Sequence, residues 1–141
     1  MPTVPNEPRE DLLARISRRR NAVEFRLREL LRTGLRFSLG KKAGDGLLSS
    51  LATDRRAVVA QYSYDDTWEQ LYFDELRGIL DKHWPAFQNL FGEEKTKVLQ
   101  WLEHVNRCRA DAHARTLSDD DLAYLNVCFR RLEEALDSVV K

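Results

Sequence analysis

PREDLLARISRRRNAVEFRLRELLRTGLRFSL, residues 8–39, decides the fold class. Leu12, Leu13, Ile16, Val23, Leu27, Leu30, Leu31 and Leu35 recur there at helical spacing, so they share one stripe of a cylinder while arginines and glutamates occupy the rest. A half-buried strand would alternate at period two, and this stretch does not. The expectation is a long first helix. Gly34 is its weak point, and Gly40 followed by KKAGDG stops it and opens a connection. The run Arg18, Arg19, Arg20 lies inside the helix, so its charges spread around the cylinder and form no compact patch.

Outward from that helix, Gly46 to Tyr64 mixes short apolar runs with turn residues and reads as one or two short helices, with a strand as the competitor over RAVVAQYSY. DDTWEQLYFDELRGILDKHW places Trp68, Leu71, Tyr72, Leu76, Ile79 and Leu80 at helical spacing behind a cap at Asp65 or Asp66, which predicts a second long helix ending before Pro85. Residues 93–114 form a third, opened by Glu93 and Glu94. A fourth follows the weak capping box Ser118 to Asp121, on the stripe Leu122, Leu125, Phe129, Leu132, Leu136. The reading is all-α, with residues 1–8 as a flexible N-terminus and 9–141 as one helical domain.

Composition narrows the class further. With 43% hydrophobic and 33% charged residues the chain is too apolar for disorder and too polar for a bilayer. No apolar stretch approaches the roughly 20 residues a spanning helix needs and the N-terminus lacks a secretory signal layout, so the expected location is cytoplasmic, without membrane contact. Cys108 and Cys128 fit no ligand pattern and read as buried free thiols, and His83, His104 and His113 stand too far apart for a metal cage. Neither a metal nor a cofactor is expected. Net charge is zero, yet residues 1–60 hold 13 Lys/Arg against 7 Asp/Glu and residues 61–141 hold 10 against 16. Any RNA contact should therefore be local.

The chemistry concentrates on the third helix. Setting Val105 at zero and turning about 100° per residue, Arg109 falls near 40°, Leu102 near 60°, His113 near 80° and Asn106 near 100°, one polar strip beside the buried face. Trp101, Cys108 and Ala112 fall between about −20° and −60° and mark the expected core edge, with Trp101 and Leu102 buried. Arg107 falls near 200° and Asp111 near −120°. Arg109 and His113, four apart, can thus act on one ligand. A guanidinium grips phosphate oxygens while an imidazole moves a proton near neutral pH, a pairing suited to phosphoryl chemistry. On spacing alone, such a pair reads first as a helix-surface pair bonded to a neighbouring helix. Tyr62, Tyr64, Trp68, Tyr72 and Phe73 read as core in preference to a base-stacking platform. His83 and His104 read as ordinary helix residues, and Ser49 and Ser50 have no base near them in sequence.

WLEHVNRCRADAHARTLSDDDL, residues 101–122, resembles the signature segment of HEPN domains, in which an Arg, often beside Asn, precedes an Ala-His pair late in a helix. The aromatic segment YFDELRGILDKHWPAFQNLFG and the final helix opening on Ser and acids extend the resemblance over roughly residues 20–138. It implies a single four- to five-helix bundle that pairs as a homodimer, with His113 as the family His and Arg109 or Arg107 as the family Arg. Asn106, Arg107 and Asp111 would bind beside them. It further implies RNA as partner and metal-independent endoribonuclease activity. A non-catalytic dimerisation or docking module, within a larger multidomain chain or with a protein partner, is the alternative. The sequence departs from the pattern in spacing: the family Arg stands four to six residues before the His, whereas Arg109 leaves three between and Arg107 leaves five. Where the antitoxin-regulated branch has Tyr, two residues after the His, this chain has Arg115. An unrelated helical interaction domain is the third reading.

Overall fold

In the computed structural model, which describes residues 9–107 and 118–138, the leucine stripe forms α1, Arg9–Leu39. Leu12, Ile16, Val23, Leu27, Leu31 and Leu35 are all buried. Gly34 does not interrupt the helix. It packs directly against Phe87: a Cβ built there would meet Phe87 Cε1 at 2.3 Å. A 3-10 turn, Gly40–Lys42, leads from Gly40 at φ 57° into α2, Ala43–Ser49, and then α3, Thr53–Val59. The strand alternative for RAVVAQYSY therefore does not occur; Val59 packs into the core from a helix. No strand is present among the described residues.

The second long helix is in fact two, α4 at Tyr64–Glu69 and α5 at Phe73–Lys82. Its apolar spacing runs straight through the break, so the cause lies elsewhere. Arg28 on α1 donates Nε to Trp68 O at 2.9 Å and Nη2 to Leu71 O at 3.1 Å, and Arg55 on α3 donates Nη2 to Gln70 O at 2.8 Å. Carbonyls freed by ending a helix are thus met by guanidiniums, which removes the cost of leaving them unpaired. Tyr72 is extended at φ −87°, ψ 163°, and its N–H donates to Glu75 Oε1 at 2.9 Å. The cap of α4 is Ser63, accepting from Asp66 N at 3.2 Å, where Asp65 or Asp66 was expected.

Pro85 sits in a 3-10 turn, Trp84–Ala86, followed by α6, Gln88–Phe91, closed by Gly92 at φ 60°. α7 covers Lys95–Arg107, and α8 covers Asp119–Asp137 behind the capping box of Ser118 and Asp121. The four longest helices close a ring, α1 on α8, α8 on α7, α7 on α5 and α5 on α1. Ile16, Leu27, Trp68, Ile79, Leu102 and Phe129 fill its centre. On α7 the buried residues are Val98, Leu99, Leu102, Val105 and Asn106, an arc from about 0° to 120° on the wheel. That corrects the expected core edge: Trp101 is only half-buried at the rim, while Leu102 is fully buried. No described helix is long and apolar enough to cross a membrane.

Candidate functional site

Asn106 is the polar residue that this arc drives inward. It lies one residue before the last described residue of α7, is 7% exposed, and has both ends of its amide held. Nδ2 donates to Asp74 Oδ1 at 3.0 Å, and Oδ1 accepts from Arg20 Nη2 at 2.9 Å. A buried amide without partners would cost about 1–3 kcal/mol, so these bonds explain how Asn106 is tolerated there. Arg20 in turn pairs with Glu24 at 2.9 Å and lies 5.0 Å over the Phe73 ring. Three helices, α1, α5 and α7, are thereby tied at one point.

Beside that point opens a cleft of about 540 Å³, the size of a small-ligand site. Asn106, Arg20 and Glu24 line it together with the start of α5, Tyr72, Asp74 and Glu75. Arg55 joins from α3, bidentate on Glu75 at 2.9 and 3.1 Å and 4.7 Å over the Tyr72 ring. Two guanidiniums face three carboxylates, and each guanidinium is already in an ion pair. The cleft offers an exposed aromatic ring and carboxylate acceptors, and no surplus positive charge.

Of the residues singled out in the sequence, Asn106 is in this cleft and Arg107 is not. Arg107 is exposed and donates Nη2 to Glu103 at 3.2 Å, one turn back on the same helix, as its wheel position requires. Arg109, Asp111 and His113, with Cys108 and residues 1–8, lie outside the described residues. Cys128 is buried, and burial pushes its thiol up to about 11. Trp68 and Phe73 belong to the core, Tyr64 is half-buried, and Tyr62 and Tyr72 remain exposed. His104 meets Tyr124 edge-on at 4.8 Å.

Ser50 corrects the sequence reading, for it does have a base at hand. Its Oγ stands 3.1 Å from His83 Nε2, on a residue 33 positions away that only the fold brings near. Ser50 Oγ also donates to Gly46 O at 2.8 Å, and His83 Nε2 lies 3.3 Å from the same carbonyl. One arrangement satisfies all three contacts: the hydroxyl gives its single proton to the carbonyl, and Nε2–H donates. With the hydroxyl proton on the carbonyl, the pair ties α2 to the end of α5. Ser49 is similar, with Lys82 Nζ donating to its Oγ at 3.1 Å and its carbonyl at 2.8 Å.

Among the described residues no group of three His, Cys, Asp or Glu side chains is placed to hold a metal ion. Compared with family models, curated proteins and solved structures, the chain matches none.

Proposed function

We propose that this chain is an RNA-binding domain of the HEPN kind that works as a homodimer, with Arg109 and His113 of both copies forming a metal-independent endoribonuclease site. The observation that carries the reading is Asn106: a buried amide held by Arg20 and Asp74 fixes the end of α7 beside the cleft. Arg109 and His113 follow it by three and seven residues. Arg107 is the weaker candidate for the functional arginine, since it faces away from the cleft and is engaged by Glu103.

In this reading one His113 takes the proton of a ribose 2′-hydroxyl as its oxygen attacks the adjacent phosphorus. The other His113 protonates the departing 5′-oxygen, and Arg109 binds the phosphate oxygens as charge builds on them. One P–O bond forms and one breaks. The products carry a 2′,3′-cyclic phosphate and a 5′-hydroxyl.

Incubating the full chain with unstructured RNA in EDTA and analysing the new ends tests this directly. Cyclic-phosphate ends formed by wild type and not by His113→Ala support it. The alternative reading is a non-catalytic dimerisation or docking module. A dimeric mass by light scattering without cleavage would select it.

A further inference from the structure

Part of the lining of the Asn106 cleft is held differently from the rest. Ala52 and Arg55 join it from the start of α3, a helix of seven residues that buries Val59 and no other residue. Helices that short do not stand on their own propensity, so α3 depends on what ties it to the bundle. Arg55 is that tie. Its Nε and Nη2 are bidentate on Glu75 at 2.9 and 3.1 Å, Nη2 also donates to Gln70 O at 2.8 Å, and the guanidinium lies 4.7 Å over the Tyr72 ring. The neighbouring Arg56 reaches back only to Leu51 O and Ser49 O, in the stretch of chain that leads into α3. Val59 borders a pocket of about 90 Å³ that it shares with Leu47 and Leu48 of α2, so even this apolar anchor is not enclosed on every side. Ala57 and Val58 face solvent.

We propose that α3 is a flap on the cleft, latched by Arg55, that swings away by local opening while the four longest helices stay folded. Segments open separately where they bury few apolar side chains and are tethered by polar contacts, and α3 meets both conditions. Opening changes the chemistry of the cleft as well as its width. Closed, two guanidiniums stand against three carboxylates; with Arg55 withdrawn, Arg20 alone faces Glu24, Asp74 and Glu75, and the Tyr72 ring loses the cation over it. The open cleft is thus the more acidic form. The inference holds whatever the cleft takes and does not rest on the ribonuclease reading.

Native-state hydrogen exchange of the full chain at low urea concentrations tests this, read by mass spectrometry on peptides spanning residues 53–60 and on peptides from α1 and α8. In wild type, residues 53–60 should exchange through an opening insensitive to urea, because it exposes little surface, while the middles of α1 and α8 speed up as urea is added. Arg55→Gln should speed exchange at residues 53–60 by about tenfold, as expected for the loss of charge-assisted hydrogen bonds, and leave it insensitive to urea. Exchange at residues 53–60 that rises with urea in step with α1 means that α3 opens only with the whole bundle, and overturns the flap. Urea-insensitive exchange that Arg55→Gln leaves unchanged places the tether elsewhere and overturns Arg55 as the latch.

Discussion

Arg20 on α1 reaches across 86 positions of sequence to donate from Nη2 to Asn106 Oδ1 at 2.9 Å, and through that amide α1 is joined to Asp74 on α5. The bond ties the described end of α7 to the stability of the bundle. Replacing Asn106 by Ala should cost about 1–3 kcal/mol, because the partly buried Arg20 guanidinium loses an acceptor and Asp74 a donor as the buried amide is removed. Urea unfolding of Asn106→Ala measures the loss. A change below about 0.5 kcal/mol would mean that water replaces the amide without penalty.

Gly34 and Gly78 both lie inside helices and should respond oppositely to alanine. At Gly34 a new Cβ would stand 2.3 Å from the buried Phe87 ring, whereas at Gly78 it meets nothing within 4 Å. Gly78→Ala should stabilise by roughly 0.5–1 kcal/mol through backbone entropy. Gly34→Ala gains the same helix propensity and still loses overall, since overpacking a core costs about 1–3 kcal/mol. Thermal unfolding of the two variants side by side gives the signs.

Cys128 makes stability fall at alkaline pH. Burial raises its thiol from the usual 9.0 to about 11, so the unfolded chain loses this proton before the folded one does. The stabilisation is complete below pH 9.0 and is lost as pH rises through about 11. Denaturant midpoints should decline over that window more steeply for wild type than for Cys128→Ala, which lacks the thiol and leaves other titrating groups in place. The same burial should make Cys128 slow to react with thiol reagents until the chain unfolds.

Long apolar stripes were legible because periodicity accumulates along a helix, which is why α1 and α8 match their expected spans so closely. The division of α4 from α5 was not legible, since Arg28 stabilises the break from 40 and 43 positions away and nothing in the local pattern marks it. The α7 wheel placed Arg107 outward and Asn106 beside the buried face. It then set the core edge at Trp101, on the wrong side of Val105, because a wheel fixes relative directions and only the packing of α5 and α8 decides which direction faces inward. Ser50 and His83 illustrate the same limit from the other side: their contact spans 33 positions, and the protons that decide its chemistry are set by the carbonyl of Gly46.

If the proposed ribonuclease reading holds, kinetics can identify which arginine works with His113, and the result separates two geometries. Losing a general acid or base typically costs about 10² to 10⁴ in rate, so His113→Ala should abolish detectable cleavage while the far-ultraviolet circular dichroism and the dimeric mass stay unchanged. Arg109→Ala should reduce cleavage comparably and also weaken RNA binding, because a guanidinium grips the phosphate in ground state and transition state alike. Arg107→Ala should cost far less. Its guanidinium is exposed and held by Glu103 on the outer face of α7, turned from the buried side where Asn106 sits. An essential Arg107 beside a dispensable Arg109 would reverse this assignment, since Arg107 would first have to give up Glu103. Adding Glu103→Gln to wild type then distinguishes the cases: freeing Arg107 should raise activity if Arg107 is the phosphate ligand, and should leave it unchanged if Arg109 is.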